Sequence, residues 1–292
     1  MSKKSICYDK KSKSAKAKER TFQALAILFL SIVAFCQIFP FYLKVIDSLQ
    51  SPELIPDSDK LYLWPVDGTL KNYFTAMQVS GFWKALLNTL FVTVTFTAIS
   101  LFIAIIMGYV LAKLKFKGKK VVSALLLSTM MVPGEVLMIP NYILVMNMGL
   151  NYSIWGLILP GIVNVFGVFL VKQYMANIPE SVLESADLDG CNEFQKIFKI
   201  VVPMSKPVLI TYVILTFVST WNEYLWPMVM QASGSEVETL QLIMYKFYPA
   251  LGGYADGFVR SAGMILITVP IIVMYFIFQR YFLEQNNIAG IK

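Results

Sequence analysis

Long apolar runs broken by short polar stretches set the pattern of this chain. A hydrocarbon layer of about 30 Å is crossed by about 20 helical residues. About six runs reach that length, near 22–46, 84–112, 121–146, 153–175, 206–231 and 262–282. The pattern predicts an all-α membrane protein and leaves one polar stretch, 178–204, between the fourth and fifth runs. In that stretch Pro179 suits a first helical turn, where no N–H is needed, and Glu180 sits at the positive end of the helix dipole. Val182, Leu183 and Ala186 form a narrow apolar face opposite Glu184 and Asp187. Gly190 is free to turn left-handed and stop the helix, and Asn192 with Gln195 forms a capping pair for the next. Phe194, Ile197, Phe198 and Val201 keep helical spacing until Pro203, which the pattern takes as the end of that helix. The expected product is a helix, a glycine corner and a second helix, all outside the membrane.

Within the runs, polar and helix-breaking residues stand out. The third is interrupted at Val132-Pro133-Gly134-Glu135 and, on this reading, again at Pro140. Broken helices survive at membrane depth where protein or a watery cavity satisfies the freed backbone groups. Glu135 therefore belongs either to a pathway or gate, or to the membrane surface as a solvated end charge. The fifth run reaches Trp221-Asn222-Glu223-Tyr224-Leu225-Trp226-Pro227. One reading is an aromatic belt anchoring helix ends at the interface. The other has aromatic faces stacking on sugar rings while Asn222 and Glu223 hydrogen-bond to hydroxyls. In the second run Ser100, Ala104, Gly108 and Ala112 recur every fourth residue, a small-residue stripe that lets another helix approach closely, from this chain's own bundle or from a second subunit. The outward loop 47–83 carries Pro52, Pro56, Pro65 and Gly68, which predicts an exposed, partly irregular segment.

Composition sharpens the membrane reading. Of 292 residues, 57% are hydrophobic and 15% charged, and the mean hydropathy is +0.63, well above an average soluble domain. The net charge of +7 is not gathered into a nucleic-acid face. Eight basic residues between Lys3 and Arg20 precede the first run, and Lys113, Lys115, Lys117, Lys119 and Lys120 join the second to the third. The connection from Asn147 to Tyr152 has none. The positive-inside rule places both termini and the 178–204 stretch in the cytoplasm of a multi-pass protein. The basic start with its long apolar continuation reads as a retained anchor. Cys7, Cys36 and Cys191 fall on cytoplasmic or membrane positions, unsuited to an extracellular disulfide. There is no histidine, and no G-x4-G-K-[S/T] phosphate loop. The expectation is a chain that is not an enzyme, binds no cofactor or metal and leaves ATP hydrolysis to others. It divides into a basic tail (1–20), a first span with its outward loop (21–83) and a core (84–292).

The polar stretch resembles the EAA motif of ABC importer permeases, E-A-A-x3-G-x9-I-x-L-P. Here it reads E-S-A-x3-G-x9-I-x-V-P, with Ser185 and Val202 as departures of small volume. The W-N-E-Y-L-W-P segment is similar to one in carbohydrate-type ABC permeases, the maltose permease G-like branch. So are Trp155-Gly156-Leu157-Ile158-Leu159-Pro160, Ile178-Pro179-Glu180, Gln279-Arg280-Tyr281-Phe282 and the ending Asn287-Ile288-Ala289-Gly290-Ile291-Lys292, in which Asn287 and Ile288 depart. The resemblance covers the chain from about residue 84 onward. It implies a type I importer permease (MetI-like) fold with a cytoplasmic coupling helix. It further implies a heterodimer with a second homologous permease, two ATPase subunits that bind ATP and magnesium, and an extracytoplasmic sugar-binding protein. Glu184, Ser185, Ala186, Asp187, Asp189 and Gly190 would couple to an ATPase subunit. The loop 232–260 would approach the binding protein and the C-terminal tail the ATPases. Glu135, Asn222 and Glu223 stand as substrate-pathway candidates. A secondary transporter, independent of any ATPase, is the rival reading. No repeat between the two halves of the chain supports it.

Overall fold

A computed structural model of the protein describes residues 13–54, 60–232, 236–247 and 254–289. Most of these residues are helical, with no strand among them. Three of the apolar runs become unbroken helices: α1 (Lys13–Ser48), α3 (Phe82–Lys113) and, at the end of the bundle, α14 (Tyr254–Ala289). Each contains an apolar stretch long enough to span a bilayer, over Arg20–Ser48, Phe82–Lys113 and Gly257–Gln279. α1 packs against α14, and none of its most apolar stretch is buried within the chain. That leaves its surface to lipid or to another subunit.

α3 is the spine. Its stripe of Ser100, Ala104 and Gly108 is fully buried and faces α7 (Val165–Ala176), the most extensive helix pairing in the fold. A Cβ at Gly108 would stand 2.8 Å from Val171 Cγ1 and 3.2 Å from the Lys172 backbone nitrogen. The small residues therefore serve packing within this chain. Gly167 does the same one turn from Val171 on α7, where the Tyr212 ring of α11 (Lys206–Trp221) occupies the space a Cβ would need.

The remaining three runs are broken. α4 (Lys119–Thr129) gives way, after Pro133 and a 3-10 turn over Gly134–Leu137, to α5 (Met138–Asn147). The two halves meet at 94°. The second interruption expected at Pro140 does not occur. Pro140 lies in the first turn of α5, where backbone N–H groups have no intrahelical partner to lose. The fourth run, expected as one helix over 153–175, is instead the single turn α6 (Trp155–Ile158) followed by α7. Pro160 and the left-handed Gly161 (φ 80°) separate them, and Asn164 caps α7 by accepting from Gly167 N at 2.9 Å. In the fifth, α11 (Lys206–Trp221) stops short of the expected 231 and α12 (Leu225–Ala232) begins after a three-residue break.

The described part of the outward loop is held by specific hydrogen bonds. Asn72, buried in the short α2 (Lys71–Met77), donates to Ser48 O at 3.0 Å and Gln50 O at 2.8 Å. Gln50 Oε1 in turn accepts from Val66 N at 2.8 Å, so the polar side chains stand in for a sheet ladder. Residues 1–12, 55–59 and 290–292 lie outside the described residues, as do 233–235 and 248–253 of the loop 232–260, which otherwise holds α13 (Leu240–Phe247) and the start of α14.

Candidate functional site

The three helix breaks meet at one place. A cavity of about 350 Å³ is lined by Gly134 and Glu135 from the α4/α5 break, Pro160, Gly161 and Asn164 from the α6/α7 break, and Glu223, Leu225 and Trp226 from the α11/α12 break. The half of α3 toward Phe82 closes it with Thr89, Val92, Thr93 and Phe96. Pro133 with Gly134 and Pro160 with Gly161 mark the first two breaks, whereas the third, at 222–224, holds neither residue type; interrupted helices survive at membrane depth where protein or a watery cavity satisfies the backbone.

The polar side chains are positioned by the same breaks. Glu223 Oε1 accepts from Leu225 N at 2.9 Å and Trp226 N at 3.1 Å, capping α12. Trp226 Nε1 donates to Gly156 O at 3.1 Å, tying α12 to α6. Thr89 Oγ1 donates to Ala85 O and accepts from Leu240 N, both at 2.8 Å. The hydroxyls of Thr93 and Thr239 are buried at the cavity wall with no hydrogen-bond partner. A buried hydroxyl without a partner is costly in a settled core, and both oxygens are closed to water in this structure.

Of the pathway residues expected from sequence, Glu135 and Glu223 reach this cavity and Asn222 does not. Asn222 donates to Val218 O at 2.9 Å and accepts from Gln241 at 3.3 Å, finishing α11. Trp221 is not a belt residue either: it is 1% exposed, stacks on Phe217 at 5.8 Å and donates to Ile267 O at 3.1 Å. Sequence reasoning missed Thr93, Asn164 and Thr239. The four-residue spacing of Thr89, Thr93 and Thr97 was the available signal for a polar stripe on α3.

A second site forms at the Lys113 end of α3. Here α8 (Glu180–Leu188) ends at Gly190, which is left-handed at φ 75° with open space where a side chain would stand. Asn192 and Gln195 then cap the next helix reciprocally, with both bonds at 2.9 Å. That helix runs through α9 (Glu193–Gln195), a π-helical turn over Lys196–Val201 and α10 (Val202–Met204), and bends 81° into α11 at Ser205. The helix ends at Met204, one residue past Pro203. A regular α-turn would press the proline ring against the Lys199 carbonyl, and the wider π turn relieves that contact.

Ala186 is buried and faces inward between half-buried Val182 and Leu183, while Glu184, Ser185, Asp189 and Gly190 are exposed. Leu188 is 90% and Phe194 68% exposed, a pair of large apolar side chains with no cover in this chain. Asp187 is different. It pairs at 2.5 Å with Lys196, which also holds Glu193 at 2.6 Å. Glu193 accepts in addition from the Tyr109 hydroxyl of α3 at 2.6 Å. Lys113 completes the junction by donating to Ile178 O at 2.5 Å. In this segment, ahead of the α11 run, the hydrogen bonds from Lys196 and then Tyr109 hold the Glu193 carboxyl below the usual glutamate range. The bonds to Asp187 and Glu193 raise the Lys196 ammonium above its ordinary value. Lys196 had no signal in the sequence beyond its place among apolar residues.

Residues 100–285 match the family described as binding-protein-dependent transport system inner membrane component. The chain is 33% identical over 267 residues to the arabinooligosaccharides transport system permease protein AraQ of Bacillus subtilis (strain 168), covering 91% of this chain and 94% of that protein. It is 29% identical over 288 residues to the polygalacturonan/rhamnogalacturonan transport system permease protein YtcP of the same organism, covering 94% and 99%. Among solved structures, a bacterial ABC transporter involved in the import of the acidic polysaccharide alginate superposes with a TM-score of 0.80 at 27% identity, over 91% of this chain and 98% of that one.

Proposed function

The chain belongs to the family of binding-protein-dependent transport system inner membrane components, and we propose that it works as the membrane half of an ATP-driven oligosaccharide importer, passing cargo by alternating access. The observation that carries this reading is the division of labour along α3. The exposed helix-glycine-helix corner is fastened to one end, and a polar cavity built from broken helices opens at the other.

In this reading the chain pairs with a second homologous permease, and cargo passes between the two. Two ATPase subunits bind ATP and magnesium and hydrolyse the nucleotide, since this chain has no phosphate loop. An extracytoplasmic binding protein delivers the sugar, as the family's description implies. Both termini and the 178–204 segment face the cytoplasm, in line with the clustering of lysines at the Lys113 end of α3. Leu188 and Phe194, exposed beside Glu184 and Gly190, form the apolar part of the surface that seats in an ATPase subunit. Closure of the ATPases on ATP moves α8, and the packed bundle follows as a body because close-packed elements shift rather than deform.

Affinity purification of the chain from its native membrane in mild detergent, with mass spectrometry of stoichiometric partners, tests the proposal. Recovery of a second permease and a P-loop ATPase is the expected result. Reproducible recovery of this chain alone, from membranes that keep other complexes intact, would overturn it and favour a self-sufficient secondary transporter.

A further inference from the structure

The names of the similar proteins span two kinds of cargo: arabinooligosaccharides, which are neutral, and polygalacturonan and alginate, which are acidic. Similarity alone does not choose between them. The wall of the cavity does, and we infer that this permease accepts uncharged oligosaccharides and turns away uronate chains. The inference rests on the importer reading above and narrows it.

Its basis is the charge of the lining. Glu135 and Glu223 are both present, and no lysine or arginine lines the cavity among the described residues. Lys84, at the same end of α3, is exposed and lies outside the lining. The segments 55–59, 233–235 and 248–253, outside the described residues, contain no lysine or arginine in their sequence. A uronate entering this space would bring a carboxylate to a wall with two others, both on exposed residues, and with no lysine or arginine in the lining to meet it. Like charges so placed oppose one another even through water, which lowers uronate affinity with no compensating contact.

A neutral sugar meets the opposite situation. Its hydroxyls donate to carboxylates in charge-assisted bonds, which are stronger than neutral ones. Glu223 is held for this by its bonds to the α12 N–H groups, which fix the orientation of the carboxylate. Trp226 and Phe96, also in the lining, supply apolar faces for the ring. The wall thus offers a polyol charged acceptors and apolar faces, and offers an anion no cation.

The test uses the full importer complex in nanodiscs without its binding protein, so that selection by the permeases is read directly. Labelled trisaccharides of arabinose, glucose and galactose, together with trigalacturonate, are measured by equilibrium dialysis. At least one neutral trisaccharide is expected to bind at least about tenfold more tightly than trigalacturonate. In the double variant Glu135→Gln and Glu223→Gln the preference is expected to shrink through tighter uronate binding. Glutamine keeps an acceptor for the α12 cap, and thermal unfolding of the variant checks that the fold survives. Equal or stronger binding of trigalacturonate to the unmodified complex, an unchanged preference in the double variant, or no binding of any probe would each overturn the inference. Failure of the importer reading shows separately, as the absence of an ATPase in the purified complex.

Discussion

Thr93 and Tyr109 stand on the same helix and live under opposite rules. They are sixteen positions apart, about 24 Å along the axis. Around Thr93 helices break, hydroxyls lack partners and acidic side chains line open space. Around Tyr109 a single lysine joins two carboxylates and one of them joins the tyrosine, so that α8, the π turn and α3 are linked by short polar bonds. Between these ends lies a dry, small-residue contact in which Gly108 touches Val171 and Gly167 seats Tyr212, whose hydroxyl bonds Ser100. The difference teaches how the fold separates work. On the proposed function, the end that would meet cargo keeps unmet polar groups and interrupted backbone. The end that would receive a push is tied off by polar bonds, with a closely packed middle between them.

The severest way to break the comparison is through the middle. Gly167→Val drives a branched side chain into the Tyr212 ring. Overpacking of this kind costs about 1–3 kcal/mol and occasionally more. The expected outcome is a large loss of membrane-inserted protein and of thermal stability in detergent; normal yield and melting would mean that α7 and α11 are not rigidly packed.

At the tied end, Lys196→Met strips both carboxylates of their partner. Those side chains are about half exposed, so solvent screening holds the stability cost to roughly 1 kcal/mol. The functional effect is expected to be larger: more ATP hydrolysed per sugar imported, with Lys196→Arg restoring the ratio. A coupling ratio equal to that of the unmodified complex would show that the lysine link carries no displacement.

Gly190→Asp tests the corner itself. The position needs φ 75° but has open space around it, so the strain is confined to the backbone, about 1–2 kcal/mol. Insertion and assembly should persist while uptake uncouples from hydrolysis; uptake at the unmodified rate would count heavily against a coupling role.

The smallest structural effect is expected at exposed Glu184. Glu184→Lys should leave the melting temperature nearly unchanged, since such surface changes usually stay within about 0.5 kcal/mol. It should nevertheless reduce the amount of ATPase retained through detergent washing. Equal retention would remove Glu184 from the docking surface and leave Leu188 and Phe194 as its chief contacts.

Sequence alone determined what depends on neighbours a few positions away. The apolar runs, the kink at Pro133 and Gly134, the left-handed Gly190 and the Asn192–Gln195 capping box all follow from one turn of helix or from uninterrupted hydrophobicity. The same locality explains the errors. Pro140 read as a break, yet it falls in the first turn of α5. Trp221 read as an interfacial residue until α14 supplied the carbonyl that buries it. What only the tertiary structure decided are contacts between distant positions: Tyr109 with Glu193, 84 residues apart, and Thr89 with Leu240, 151 apart. Such pairings leave no period in the sequence. The convergence of three helix breaks on one cavity is of the same kind, because each break is local while their meeting depends on how α3, α7 and α11 pack.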